Sequence, residues 1–262
     1  MRLKLLVAAA CALAIFAAPA AGPPEPKDGL SVMREVDQRR RTGREYSEGL
    51  ITVTEKGRTK TKSWRSWRLG WGGEAKGLIQ FLEPAEVKGV GLLTLSHPGQ
   101  PSEQWFYAPA IDRDRRIAKQ EKTTRFLGTH FTYEDMEERR LDAYTYALAG
   151  GEEVDGARCY KVVATPNPGE ESQYAKLVFW VLADRFVTIR VHGYVGDELR
   201  RIFHGGDIRV VDGRSIAHTW VLSDSKREGT TTLTLRNVHV EAPVDPGLFT
   251  VTGMRSIHEA PR

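Results

Sequence analysis

The sequence predicts a mainly β fold, an antiparallel sheet or barrel behind one N-terminal helix. Three observations predict it. After Gly43 the apolar residues recur at period two almost to the end of the chain. Turn signals break that pattern about every ten residues, at Lys56-Gly57, Gly72-Gly73, Pro98-Gly99, Asp155-Gly156, Pro168-Gly169, Gly205-Gly206 and Asp212-Gly213. The third observation is an aromatic surplus: Trp64, Trp67, Trp71, Trp105, Trp180 and Trp220 all fall in or near predicted strands, joined by Phe81, Tyr107 and Phe179. Core packing accounts for any one of them. As a set they suit a sheet that curls around an apolar space.

Residues 1–20 read as a secretory signal. Arg2 and Lys4 make a basic start, Leu5 to Ala18 is uncharged and apolar, and Ala18-Pro19-Ala20 offers small residues to signal peptidase, with cleavage near Ala20 or Ala21. The apolar run is shorter than the ~20 residues of a membrane span, so the expected product is soluble in the periplasm. Cys11 lies inside the apolar run, where a lipidated cysteine would end it. Loss of Arg2 and Lys4 lowers the net charge from +4 to about +2, which gives no argument for nucleic acid. Cys159 is then alone; it cannot form an internal disulfide, and its neighbours Tyr160, Val162 and Val163 mark it as a core residue.

Residues 21–43 hold a proline-rich linker, Gly22 to Pro26, and the helix. Asp28 can cap it, and Leu30, Met33 and Val36 follow at near-helical spacing before Gly43. Arg39-Arg40-Arg41 suits the negative end of the helix dipole. One β domain is expected over 44–252, with a tail over 253–262. Its strands are predicted at 45–55, 61–70, 76–82, 90–95, 103–108 and 114–119, then at 141–148, 158–165, 174–183, 186–193, 197–204, 207–212, 215–222 and 230–241. Trp64 and Trp67 differ by an odd number and should face opposite sides of one strand. Between the two series, residues 123–138 fit neither period yet carry Phe126, Leu127, Phe131, Tyr133 and Met136. A loop this apolar must bury itself or bind something. Its place outside any strand period predicts Phe126 and Phe131 at the mouth of a hollow.

No catalytic pattern emerges. There is no Gly-x-Ser-x-Gly elbow and no P-loop, and Gly89-Val90-Gly91 lacks the third glycine and helix of a dinucleotide loop. His97, His130, His192, His204, His218, His239 and His258 show no metal-ligand spacing. The acids Glu134, Asp135, Glu137 and Glu138 read as a solvated face, with calcium as the weak alternative. The expectation is a protein with no enzyme activity, metal or cofactor.

Several strings resemble the LolA/LolB-like superfamily of outer-membrane lipoprotein-sorting proteins, in a less characterised branch. They are Phe81-Leu82-Glu83-Pro84, Lys88-Gly89-Val90-Gly91, Gln104-Trp105-Phe106-Tyr107 with Pro109, Arg115-Arg116-Ile117, Phe131-Thr132-Tyr133-Glu134-Asp135, the Asp155-Gly156 turn and the terminal Leu248-Phe249-Thr250. Together they are fairly specific and span most of the mature chain. The resemblance implies a strongly curved antiparallel sheet, an incomplete β-barrel with a helical or loop lid over an apolar cavity. Only one clear helix is available here, so residues 123–138 would supply part of the lid. The implied activity is that of a monomeric periplasmic carrier of lipoprotein or lipid acyl chains, served by an inner-membrane transporter and an outer-membrane acceptor. The alternatives are an accessory lipid-binding protein of an inner-membrane lipid exporter and a lipoprotein-sensing adaptor. The cavity or mouth candidates are Trp67, Phe81, Leu93, Trp105, Tyr107, Phe126, Phe131, Tyr133 and Phe179.

Overall fold

The computed structural model describes residues 26–257; the expected signal segment and its expected cleavage site lie outside the described residues. The helix α1 spans Gly29–Arg40. The Asp28 carboxylate accepts the Ser31 N–H at 2.7 Å, and the Ser31 hydroxyl accepts the Asp28 N–H at 3.1 Å, so two orphan donors at the helix start are satisfied reciprocally. Arg41 leaves the helical region, which ends α1 just short of Gly43.

Thirteen strands follow: β1 (Arg44–Glu55), β2 (Arg58–Leu69), β3 (Lys76–Glu83), β4 (Gly91–His97), β5 (Gln100–Ala108), β6 (Arg113–Arg116), β7 (Tyr144–Val154), β8 (Ala157–Pro166), β9 (Lys176–Leu182), β10 (Thr188–Val195), β11 (Glu198–Val211), β12 (Arg214–Asp224) and β13 (Arg227–Val240). They form one antiparallel sheet in the order β6-β5-β4-β3-β2-β1-β13-β12-β11-β10-β9-β8-β7. The sheet does not close into a barrel; β6 and β7 are its edges. The predicted strands 197–204 and 207–212 are one strand, because Gly205-Gly206 is not a turn. β11 runs through it, paired to β12 on both sides. A Cβ at Gly205 would meet the Trp220 ring at 3.0 Å, so the glycine makes room for a cross-strand indole instead.

The sheet is strongly curved. Residues 117–143 run from edge strand β6 to edge strand β7 across one face. On that path the Tyr133 carbonyl accepts a hydrogen bond from Gln104 of β5 at 2.9 Å. Two residues on, Asp135 faces Arg201 of β11 at 3.8 Å. In a flat sheet those strands, seven steps apart in the order above, would be ~34 Å from each other at ~4.8 Å per step. Two residues of chain span only about 7 Å, so the sheet wraps around the crossing segment.

Strand register divides the side chains between two faces. On the inner face Trp64 stands opposite Gly49 and Phe81, and Phe179 opposite Val162 and Val191. The crossing segment fills half of this face, with Phe126 and Tyr133 packed on Ile51, Trp64 and Phe81. Val32 of α1 and Phe131 pack on the other half, with Leu177, Phe179 and Phe203. Trp67 faces outward, as the odd spacing from Trp64 requires. It belongs to a row that crosses six strands, His239–Tyr46–Trp67–Leu78–Leu93–Trp105. The C-terminal segment covers part of that row. Thr250 caps a second helix, α2 (Val251–Ser256), and Phe249, Met254 and Ile257 are buried against Leu78 and Leu93. Residues 253–257, expected as tail, are therefore part of an outer core. Cys159 is a buried core residue beside Trp180 and Ile189 on the same outer side.

Candidate functional site

α1 lies over the inner face near edge strand β7. Its first residue comes very close to that strand: a Cβ at Gly29 would sit 2.8 Å from the Ala147 carbonyl carbon, so only glycine permits this approach. Val32 is fully buried beneath the helix. Met33 and Val36 pack beside it, and polar contacts complete the seat. The Arg40 guanidinium donates two hydrogen bonds to the Glu45 carboxylate of β1, at 2.7 and 3.1 Å. The Trp71 indole N–H donates to Asp37 at 2.7 Å, and Arg39 lies 4.3 Å over the Phe186 ring. Burial raises the Glu45 pKa, but the charge and hydrogen bonds of Arg40, with Arg68 and Arg214 beyond, outweigh it and hold the carboxyl below the usual range.

Under the helix lies an apolar pocket of about 180 Å³. Met33 and Val36 of α1 form one wall, Tyr144 and Tyr146 of β7 a second, and Leu177 and Phe179 of β9 the floor. Tyr144 and Tyr146 are consecutive inward residues of an edge strand, and burial pushes both hydroxyls above their usual pKa. The rim carries Asp37, Arg40, Trp71, Glu138 and Arg139. Glu138 is paired with Arg68 and accepts the Gly72 N–H at 3.0 Å. Beside this pocket runs a polar cleft of about 600 Å³, between the start of β5, the crossing segment and residues 170–173. In it Lys122 pairs with Glu137 at 2.7 Å, and Glu134 accepts the Gln173 N–H at 2.9 Å. Burial pushes both carboxyls above the ordinary glutamate range.

The crossing segment is fixed by buried polar contacts. Asp135 accepts the Tyr174 hydroxyl at 2.7 Å and the Thr132 N–H at 2.9 Å. The His130 N–H donates to the Thr231 hydroxyl of β13 at 2.9 Å. Burial, and then the adjacent Asp135 charge, push the Tyr174 hydroxyl far upward.

The nine sequence candidates separate into three groups. Phe179 lines the pocket under α1. Phe81, Phe126, Phe131 and Tyr133 face inward but pack the sheet against the crossing segment. Phe126 is 0% exposed, 5.7 Å from the Phe81 ring and 5.4 Å from that of Tyr133; Phe131 is 6.2 Å from Phe203. The placement of Phe126 and Phe131 at a mouth is therefore corrected: an irregular apolar loop that crosses a curved sheet is enclosed by it. Trp67, Leu93, Trp105 and Tyr107 lie on the outer face, in the core under α2, and do not meet the inner pocket. Their expected cavity placement is corrected by strand parity. Sequence reasoning missed Met33, Val36, Trp71, Arg139, Tyr144 and Tyr146. Tyr144 and Tyr146 carried a usable signal, since an i, i+2 tyrosine pair in a strand marks one face.

This curved open sheet, with a helix and a crossing segment on its inner face, is a fold the chain shares with solved proteins named for lipoprotein sorting and for LolA. A putative outer membrane lipoprotein-sorting protein domain from Vibrio parahaemolyticus superposes with a TM-score of 0.81 at 23% identity, over 87% of this chain and 98% of that one. A LolA superfamily protein from Nitrosomonas europaea gives 0.70 at 16% identity, over 87% and 99%. The chain belongs to the DUF1329-like family: the family model, described as that of an uncharacterised protein, matches residues 73–256. A DUF1329 family protein from Desulfovibrio piger superposes at 0.83 with 26% identity, over 86% of this chain and 97% of that one. No curated protein matches the sequence.

Proposed function

We propose that the protein is a periplasmic carrier that binds acyl chains of lipid or lipoprotein between α1 and the inner face of the sheet. The observation that carries this reading is the apolar pocket under α1, walled by Met33, Val36, Tyr146, Leu177 and Phe179. Among the described residues no helix is long and apolar enough to cross a membrane, and the LolA-like fold supports the same reading. Burial is the driving force, at ~0.8 kcal/mol per methylene removed from water. The pocket's 180 Å³ falls short of the ~300–1,000 Å³ usual for a small-molecule site. On this reading the structure represents a closed form, and a whole chain enters only as α1 lifts. The crossing segment stays in place, because its aromatics are core. Transfer requires no covalent chemistry. A donor at the inner membrane and an acceptor at the outer membrane would act by preferring the open or the empty form. Mass spectrometry of organic extracts of protein purified from the periplasm tests the reading. Co-purifying acyl lipid in near-stoichiometric amount is expected; protein that carries none, and that binds no fluorescent fatty-acyl probe, refutes it.

A further inference from the structure

We propose that the apolar pocket under α1 and the polar cleft beside it are one amphiphile site, which takes an acyl chain bearing an anionic head and pairs that head with Arg139. This rests on the acyl-binding reading above and specifies its ligand. The two spaces adjoin, with Glu138, Arg139 and Tyr144 lining both. One end is apolar; the other carries both signs of charge, with Glu134, Glu137, Glu138, Glu170 and Glu171 beside its lysines and arginines.

The cations around this double site are Arg40, Lys119, Lys122, Arg139 and Arg140. Four of them are neutralised at close range: Arg40 by Glu45, Lys119 by Glu171, Lys122 by Glu137 and Arg140 by Glu170. Arg139 differs. Its nearest carboxylate oxygen, on Asp135, is 3.9 Å away, and its side chain remains one-third exposed. That oxygen already accepts the Tyr174 hydroxyl, and the other accepts from Thr132. Glu134 also feels the Arg139 charge, and its oxygens accept from the Ser172 hydroxyl and the Gln173 N–H. Arg139 therefore stands at the junction of tail pocket and head cleft held by the long pair with Asp135, too far for a hydrogen bond. A carboxylate or phosphate monoester there would gain a charge-assisted hydrogen bond in a partly dehydrated place.

The test is calorimetric titration of the mature chain at pH 8 with decanoate, decyl phosphate and decanol, which share a tail and differ in the head. Decanoate, decyl phosphate or both should bind about tenfold or more tightly than decanol; which of the two does so identifies the anion. Arg139→Gln should remove that preference, while Arg139→Lys should keep part of it. Equal affinity for acid and alcohol in the wild-type chain overturns the head assignment and leaves acyl binding intact. A preference that survives Arg139→Gln overturns the role of Arg139. Failure of all three ligands to bind removes both this inference and the reading beneath it.

Discussion

Phe126 shows how a side chain outside every strand becomes part of the core. Its ring is fully enclosed by Phe81, Tyr133 and neighbouring inner-face residues. Truncation leaves a cavity that a curved, closed-packed sheet cannot collapse, so Phe126→Ala should cost ~3–5 kcal/mol. Chemical denaturation will check this; a loss under about 1 kcal/mol would return the residue to the mouth. Trp71→Phe keeps the ring but removes the hydrogen bond to Asp37, and should cost about 1 kcal/mol while speeding the entry of an acyl probe. At this scale the sequence was only partly legible. It marked which residues are apolar, and the Trp64–Trp67 parity was readable. It did not say which parity faces inward, because both faces of this sheet carry a core. That is why Trp67, Leu93, Trp105 and Tyr107 were sought on the wrong side.

α1 is held in place differently from the crossing segment, and the two respond oppositely to acid. Glu45 has a folded pKa below the ordinary value, so its stabilising pair with Arg40 is present above that value and is lost as the pH falls through the folded pKa. Glu134 and Glu137 are raised by burial; their contribution is fully present below the ordinary glutamate value and is lost as the pH rises through the raised one. Acidification below the glutamate range should therefore free α1 while the crossing segment stays seated. Stopped-flow entry of a fluorescent fatty-acyl probe should accelerate as the pH falls below that range. Glu45→Gln should enter fast already at neutral pH, with a flat profile; a variant that keeps the wild-type pH dependence would disprove the clasp. The helix and most strands were readable beforehand, since capping, period two and hairpin turns are local. The merger of two predicted strands into β11 was not, because Gly205-Gly206 looks the same whether a glycine turns the chain or clears space for Trp220.

At the scale of the whole molecule, nearly every strand lies beside its neighbour in the chain. The exceptions are the edges β6 and β7, joined by the crossing segment, and the contact of β1 with β13. The sequence displays the two meanders but holds no sign of that contact, which links strands from opposite ends of the chain. Its consequence concerns the order of events in folding. Hairpins within β1–β6 and within β7–β13 close short loops and can form early, whereas the β1–β13 seam must wait for the chain's two halves to meet. The seam then belongs after the transition state. Leu233→Ala on β13, opposite Ile51 of β1, should hasten unfolding and leave the refolding rate close to wild type. Leu92→Ala, buried on β4 within the first meander, should slow refolding. Chevron kinetics of the two variants decide the matter: if the seam variant refolds as slowly as the meander variant, the halves do not assemble before they meet.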